Sequence, residues 1–501
     1  MDIDKIQERL KWVPPGILRV VERYMKHIPG VQGMLEKEYD EMLGGMEGSL
    51  KPYRRDFTTF SQIPQIGRGH GEILKEMEDL KAREESRWRD GYVSGAVYNG
   101  DQSYIDFLNR IYAINSQSNA LHTDVWPSVA KFESEVVAMT AGMLGSDKTT
   151  DPICGSVSSG GTESILLAMK TYRDWARDMK GITHPNLVAP ATAHPAFDKA
   201  GHYFGIKVIR VPVDRSFRAD PAAMERAING STIAMVGTAG TYPHGVVDPI
   251  PELSEIARRH KIGFHTDGCL GGFILPWAEK LGYKTTPFDF RLPGVTSISA
   301  DTHKYGYAAK GSSVVLYRGL ELRRYQYFAA TDWPGGLYTS PTFAGSRSGA
   351  LIAVCWAAML STGEDGYLSA AKEIIASTAR MRAGVEAIPE LHLLGESLFV
   401  VAFASDTLNI YDVMDFLTSR GWSLNPLQKP AGVHLSVTLR HAQPAVSERF
   451  LDDLKAAVAH VRTNPQESGS SAPIYGTAST LPLRGVVAEM LKRYIDLLYK
   501  L

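Results

Sequence analysis

Ser299-Ala300-Asp301-Thr302-His303-Lys304-Tyr305-Gly306 decides the reading of this chain, together with Gly263-Phe264-His265-Thr266-Asp267 upstream of it. Each stretch opens as a strand-like run and stops at charged groups, the first at His-Lys and the second at an acid. Small residues follow both, Gly306 after one and Gly271-Gly272 after the other. Pyridoxal 5'-phosphate (PLP) needs this arrangement. A lysine amine forms a Schiff base with its aldehyde, and an aspartate keeps the ring nitrogen protonated so that the ring can accept electrons. Lys304 is the candidate lysine and Asp267 the candidate ring partner. An isolated acid at a strand end reads more readily as a helix cap. Here the His265-Thr266-Asp267 run, with two glycines behind it, favours the cofactor role, because a carboxylate bonded to that nitrogen stabilises its protonated form.

Ser158-Ser159-Gly160-Gly161-Thr162-Glu163-Ser164 lies before a helical pattern. Glycines let the backbone approach an anion, and the N–H groups that open a helix point at it. Gly160, Gly161 and Thr162 are therefore expected to hold the cofactor phosphate, with a hydroxyl from Thr162 or Ser164. On its own such a run is usually only a cap; its place before Asp267 and Lys304 gives it weight. His194, in Ala193-His194-Pro195-Ala196, closes another apolar run and is the best-placed aromatic group to stack on the pyridine face.

Apolar or β-branched runs at 187–191, 207–213, 232–238, 263–267, 297–300 and 313–316 predict strands. Helical patterns at 165–180, 196–204, 221–229 and 251–260 lie between several of them. This alternation predicts an α/β fold with a mostly parallel sheet covered on both faces. In such sheets ligands bind beyond the carboxyl ends of the strands, where Asp267, Asp301 and Lys304 fall. After about residue 365 the pattern changes to a helix at 369–388, a strand pair at 391–404, helices at 409–420 and 446–461, and an extended stretch near 433–439. We therefore expect an N-terminal helical segment over 1–57, a large domain over 58–364 and a small α+β domain over 365–501. Residues 464–480 read as a polar loop whose one aromatic is Tyr475, and a last helix is expected over 482–498.

The 501 residues carry a formal net charge of −1, so no global field points to nucleic acid or an anionic membrane. Three scattered cysteines without CxxC spacing argue against a disulfide scaffold or a zinc site. The charged start, MDIDKIQERLKW, is not a secretory signal, and no apolar run reaches the roughly 18 residues of a membrane span. A cytoplasmic protein is expected, with a peripheral membrane contact at most, through the amphipathic 17–25 run; packing of that run on a partner subunit is the plainer reading.

Gly91–Tyr98 (GYVSGAVY), Asn119–Asp124 (NALHTD), Ser158–Ser164, Ala193–Lys199, Gly237–Val246 (GTAGTYPHGV), His265–Phe273 (HTDGCLGGF) and Ser297–Gly311 (SISADTHKYGYAAKG) stand in register along the chain. Together they resemble the sphingosine-1-phosphate lyases of the group II PLP decarboxylase superfamily, over roughly residues 55–480. The lysine and aspartate motifs are common to the superfamily, whereas GYVSGAVY, NALH and the Tyr475 tail are more specific. Thr123 and Ala309 stand where these lyases commonly have proline, and Ser134 where they commonly have alanine.

The resemblance implies a fold type I PLP enzyme with a seven-stranded sheet, working as a homodimer with its active sites at the interface. It implies that Gly160, Gly161, Thr162, Thr238 and His303 contact the cofactor beside Lys304, Asp267 and His194. Ser346 would reach the phosphate from the neighbouring subunit. Tyr98, Asn119, His122 and Tyr475 would receive the substrate's phosphate and amino-alcohol head, and Tyr242 and Lys310 would sit near the reacting carbons. The implied reaction is a retro-aldol cleavage of a phosphorylated sphingoid base to a long-chain aldehyde and phosphoethanolamine. Lys310, Tyr242 and Tyr98 are all candidates for its base; a lysine with an ordinary pKa of about 10.4 would need a depressed one to serve. An amino-acid decarboxylase on the same scaffold, and a catalytically dead binding homologue, are the competing readings.

Overall fold

The computed structural model describes Gly33, Glu36, Lys37, Tyr39, Leu43, Gly44 and residues 47–464 and 484–501. The expected 17–25 helix, the 464–480 loop beyond Asn464, and Tyr475 lie outside the described residues. The chain divides into two compact units, 1–85 with 466–501, and 86–465. In the first, Tyr39 Oη donates to the Val486 carbonyl at 3.1 Å, Tyr53 Oη donates to Glu84 Oε1 at 2.9 Å, and the last helix spans Arg484–Tyr499. No helix among the described residues is long and apolar enough to cross a membrane.

The second unit is built on a seven-stranded sheet. Its strands are β1 (Ile153–Ser158), β2 (Asn186–Pro190), β3 (Lys207–Val211), β4 (Thr232–Thr238), β5 (Gly263–Asp267), β6 (Ser297–Ala300) and β7 (Ser313–Arg318), in the order β1-β7-β6-β5-β4-β2-β3. Only β7 runs against its neighbours, pairing Ile153 with Arg318 and Ser297 with Tyr317. The inner parallel strands β2, β4, β5 and β6 are buried along their whole length, as a sheet covered on both faces requires, while the edge strand β3 is only partly so. On one face helix Gly161–Lys180 inserts Ile165, Leu167, Met169 and Tyr172, with Phe197 from helix Ala196–Phe204, against Leu187, Val236 and Val315. Helix Ile250–Arg259 packs on β4 and β5, burying Leu253, Ile256 and Ala257. The α/β architecture and mostly parallel seven-stranded sheet are those expected.

One strand and one helix start differ from expectation. β1 (ICGSVS) has the composition of a loop, since glycine and serine are poor strand formers. Its glycine is demanded by the neighbouring strand: a Cβ on Gly155 would stand 2.3 Å from the Val315 carbonyl oxygen. The helix expected at 369–388 starts at Gly349 and runs to Glu386, interrupted at Gly363, whose φ of 60° leaves the helical region. The polar stretch Thr362-Gly363-Glu364-Asp365-Gly366 marks that break and hides the continuity from a reading by periodicity.

Beyond it, a separate antiparallel sheet has the order β10-β11-β13-β12, comprising His392–Leu393, Val400–Ala404, Gly432–Ser436 and Asn425–Leu427. The short hairpin Phe328–Ala330 (β8) and Tyr338–Ser340 (β9) precedes it. Helices Ile410–Ser419 and Val446–Thr463 pack on each other, and Trp422 is fully buried against Phe450.

Candidate active site

Parallel strands deliver their functional residues to one end of the sheet. β1 leads into Gly160, β2 into the His194 turn, β4 ends on Thr238, β5 ends on Asp267, and β6 leads into Asp301 and Lys304. These residues, with Gly161, Thr162, Tyr242 and His303, line one cavity of about 340 Å³, a volume suited to a small molecule. A larger cleft of about 790 Å³, lined by Arg215, Lys284, Arg382 and Phe399 among others, contains none of these residues.

Lys304 Nζ lies 2.8 Å from Asp301 Oδ2. Burial acts to lower the lysine's pKa, but the negative charge of Asp301 outweighs it and holds the ammonium well above its ordinary value. Asp301 is 2% exposed and stays below the usual carboxylate range despite its burial, because Lys304 and then His303 face it. Asp267, also buried, accepts from the Cys269 backbone N–H at 3.1 Å and from Ser299 Oγ at 3.4 Å. Behind it the imidazole of His265 bridges Ser297 Oγ at 2.7 Å and Ser299 Oγ at 3.2 Å. Burial lowers the His265 pKa to about 4, so this ring is neutral and its second nitrogen is free to accept from a serine.

The Gly160–Thr162 loop is shaped by what faces it. A Cβ on Gly161 would stand 2.6 Å from Asp301 Oδ1 and 2.8 Å from Cys269 Sγ, so only glycine permits this approach. Gly160 adopts φ 153°, which side chains rarely tolerate. Glu163 Oε2 accepts from the Ser159 N–H at 2.6 Å, and the Ser164 hydroxyl is consumed by Ser158 and Ser313 at 2.7 and 2.9 Å. That engages Ser164 within the protein, whereas Thr162 and Ser159 line the cavity.

His194 Nδ1 accepts from the Ala196 N–H at 3.1 Å, which fixes the ring plane, and burial lowers its pKa. Tyr242 Oη accepts from Asn425 Nδ2 at 2.9 Å, and its ring meets His434 edge-on at 4.7 Å. Tyr98 is buried edge-on against Tyr305 at 4.8 Å, and burial pushes its phenol up to about 12. Lys310 Nζ donates to the His303 carbonyl at 3.2 Å, and His303 Nδ1 donates to the Ser312 carbonyl at 2.5 Å. Desolvation, then the like charge of Lys304, lowers Lys310 to about 8.

Tyr98, Lys310, Asn119, Ser346 and His122 are not among the residues that line this cavity, and the Lys310 side chain is exposed. Asn119 Nδ2 donates to Ser346 Oγ at 3.0 Å, and Ser346 lines an adjoining cavity that shares Ser159, Thr162 and Glu163 with the first. His122 is exposed beside Trp126. Seven lining residues have no role in the sequence reading: Ser159, Glu163, Ile165, Gly240, Cys269, Leu270 and Asp301, the last of which it places only at a strand end.

The cavity fits PLP. Thr238 Oγ1 and Asp301 Oδ1 are buried without partners, the helix Gly161–Lys180 opens toward the site, and Gly161 leaves the space that a Cβ would fill. An amine, a buried carboxylate and a phosphate-sized cradle thus face one another.

Residues 58–404 match the pyridoxal-dependent decarboxylase conserved domain. The chain is 46% identical over 482 residues to a sphingosine-1-phosphate lyase of Arabidopsis thaliana, covering 95% of this chain and 87% of that one. The solved sphingosine-1-phosphate lyase of Burkholderia pseudomallei is 43% identical, with a TM-score of 0.83 over 90% of this chain and 99% of that one. A glutamate decarboxylase of Lactobacillus brevis, 20% identical with a TM-score of 0.70 over 83% of this chain and 97% of that one, shares the fold.

Proposed function

The chain belongs to the sphingosine-1-phosphate lyase family of PLP-dependent enzymes, and from that premise we propose how its residues perform the cleavage. The enzyme splits phosphorylated sphingoid bases such as sphingosine 1-phosphate into a long-chain aldehyde and phosphoethanolamine. The observation that carries the reading is the convergence of Lys304, Asp267, His194, Thr238 and the Gly160–Thr162 loop on one cavity.

When bound, PLP supplies the electron sink for the bond that breaks. Lys304 is the residue that would bond it. Asp267 would hold the proton on the ring nitrogen, and Ser299 and His265 hold Asp267 in place from behind. His194 would pack on the ring face. The opening N–H groups of helix Gly161–Lys180, with Thr162, hold the phosphate. Thr238 and His303 complete the cofactor contacts.

Lys310 removes the hydroxyl proton whose loss triggers carbon–carbon cleavage. A general base works best when its pKa lies near the operating pH. Lys310, at about 8, meets that condition; Tyr98, at about 12 and buried, stays protonated. Tyr98 and Tyr242 instead orient the substrate. Two copies of the chain form a homodimer, in which Ser346 of one copy supports the phosphate bound by the other. Asn119 and His122 receive the substrate head at that interface. The enzyme works in the cytoplasm, with no nucleic-acid partner and a peripheral membrane contact at most.

The test is to incubate the protein with sphingosine 1-phosphate and assay both products while following the cofactor's visible absorbance. Both products, abolished by Lys304→Ala, support the reading. A yellow protein that releases carbon dioxide from an amino acid and leaves the lipid intact would replace it with a decarboxylase.

A further inference from the structure

Lys304 is the only cation within bonding distance of Asp301 among the described residues. Asp301 sits immediately after β6, is 2% exposed, and has one oxygen 2.8 Å from Lys304 Nζ and the other without a partner. A buried carboxylate with no cation is costly. The surrounding structure is nonetheless shaped to keep this one: Gly161 leaves out the side chain that would strike both of its oxygens, at 2.6 and 2.7 Å. His303 Nε2, at 3.8 Å, is too far to hydrogen-bond. Asp267, by contrast, is held by the Cys269 N–H and the Ser299 hydroxyl and has no ion pair with the lysine. The two buried acids of the cavity therefore have separate attachments.

We propose that Asp301 is a positioning residue that receives the Lys304 ammonium whenever that lysine is not bonded to the cofactor, and so governs its release and recapture. The inference rests on the PLP-enzyme reading above. In the exchange, the substrate nitrogen forms a bond to the cofactor's aldehyde carbon and the Lys304 nitrogen–carbon bond breaks. The substrate ammonium gives up two protons and Lys304 takes up two, leaving as an ammonium. No net charge is created, and the departing cation meets a carboxylate already in place. The same pairing opposes cofactor loading, because loading requires the neutral amine.

The groups facing this pair are His303 and Lys310 on its own segment, Cys269 and Asp267 after β5, Tyr98, and His194 after β2. An opposite charge at this distance shifts a pKa by about 1–3 units. Removing it should raise the neutral fraction of Lys304 at pH 7 by about 10- to 1000-fold.

The test uses full-length protein stripped of cofactor and mixed with PLP from pH 6 to 10, with the visible absorbance followed in time. In the natural protein the loading rate should climb about tenfold per pH unit without levelling below pH 9. Asp301→Asn should load at least about tenfold faster at pH 7 and level off at lower pH. Once loaded, it should release Lys304 to hydroxylamine more slowly. Identical pH profiles in the two proteins would overturn the proposal, since a merely structural role would not move the profile. Should Asp301→Asn fail to fold, acylation of the natural stripped protein decides: Lys304 should react more slowly than the exposed Lys148 at pH 7, and equal reactivity would overturn the assignment. Natural protein that takes up no PLP would overturn the enzyme reading and this inference together. Normal uptake with an unchanged Asp301→Asn profile would overturn this inference alone.

Discussion

The Lys310 amine donates to the carbonyl oxygen of His303, the residue just before Lys304, at 3.2 Å, and hangs 5.0 Å from the centre of the Tyr98 ring. The contact tethers a second amine to the peptide that carries the first. Desolvation, and then the like charge of Lys304, lower Lys310 to about 8. At pH 7 about one molecule in ten then carries the neutral amine. Turnover should therefore rise with pH up to about 8 and level off above it. Lys310→Met should lower turnover by about 10²- to 10⁴-fold. Lys310→Arg keeps the charge and cannot deprotonate, so it should be equally impaired. A pH–rate profile of the three proteins checks this, and an active arginine variant would reduce Lys310 to a fixed charge.

Ser299 stands between the neutral His265 ring and Asp267. Ser299→Ala removes one hydrogen bond to a charged group, worth about 1.5–3 kcal/mol. Turnover should fall by about 10- to 150-fold while PLP still binds, because none of the phosphate contacts changes. Steady-state kinetics beside a cofactor titration separates the two effects.

Gly161→Ala places a methyl group 2.6 Å from one oxygen of Asp301 and 2.8 Å from Cys269 Sγ. The crowding should cost about 1–3 kcal/mol of stability. It should also weaken PLP binding, since the same helix turn opens onto the phosphate. Gly181→Ala, at the far end of that helix in open space but at φ 67°, is the comparison: it should lose stability while cofactor affinity holds. Thermal melts with and without PLP read both quantities.

Stability should depend on pH in one direction below neutrality. Burial lowers His244, His265 and His434 to about 4 and His441 to about 3. Unfolded, each would titrate near 6.5, so between about 6.5 and 4 the unfolded chain binds more protons than the folded one. Stability is then fully present above about 6.5 and lost as the pH falls toward 4. Asp248, pushed up to about 6 by burial, works the other way between about 6 and 4. One opposing group does not offset four. The thermal midpoint should drop steadily from pH 7 to pH 5; a flat profile would mean that these rings are not buried as neutral bases.

Local pattern was enough for the repeating part of the fold. β4, β5 and β6 end where their predicted runs end, because strands buried on both faces read as near-continuous runs poor in charge. The same logic made Asp267 and Lys304 legible, since both are short-range features of strand ends. Residues whose role depends on a distant neighbour were not legible. β1 resembles a loop until the Val315 carbonyl explains its glycine. Asn119 and Ser346 meet across 227 residues.

The sequence by itself determined the α/β class, the cofactor chemistry and most of the residues that line the cavity, because periodicity and strand-end motifs are written within a few residues of each other. Only the tertiary structure decided the sheet order with its single reversed strand, the pairing of Lys304 with Asp301, and the lowered pKa of Lys310. Those depend on burial and on charges brought together from separate elements, and the energy of a charge is set by what surrounds it in space.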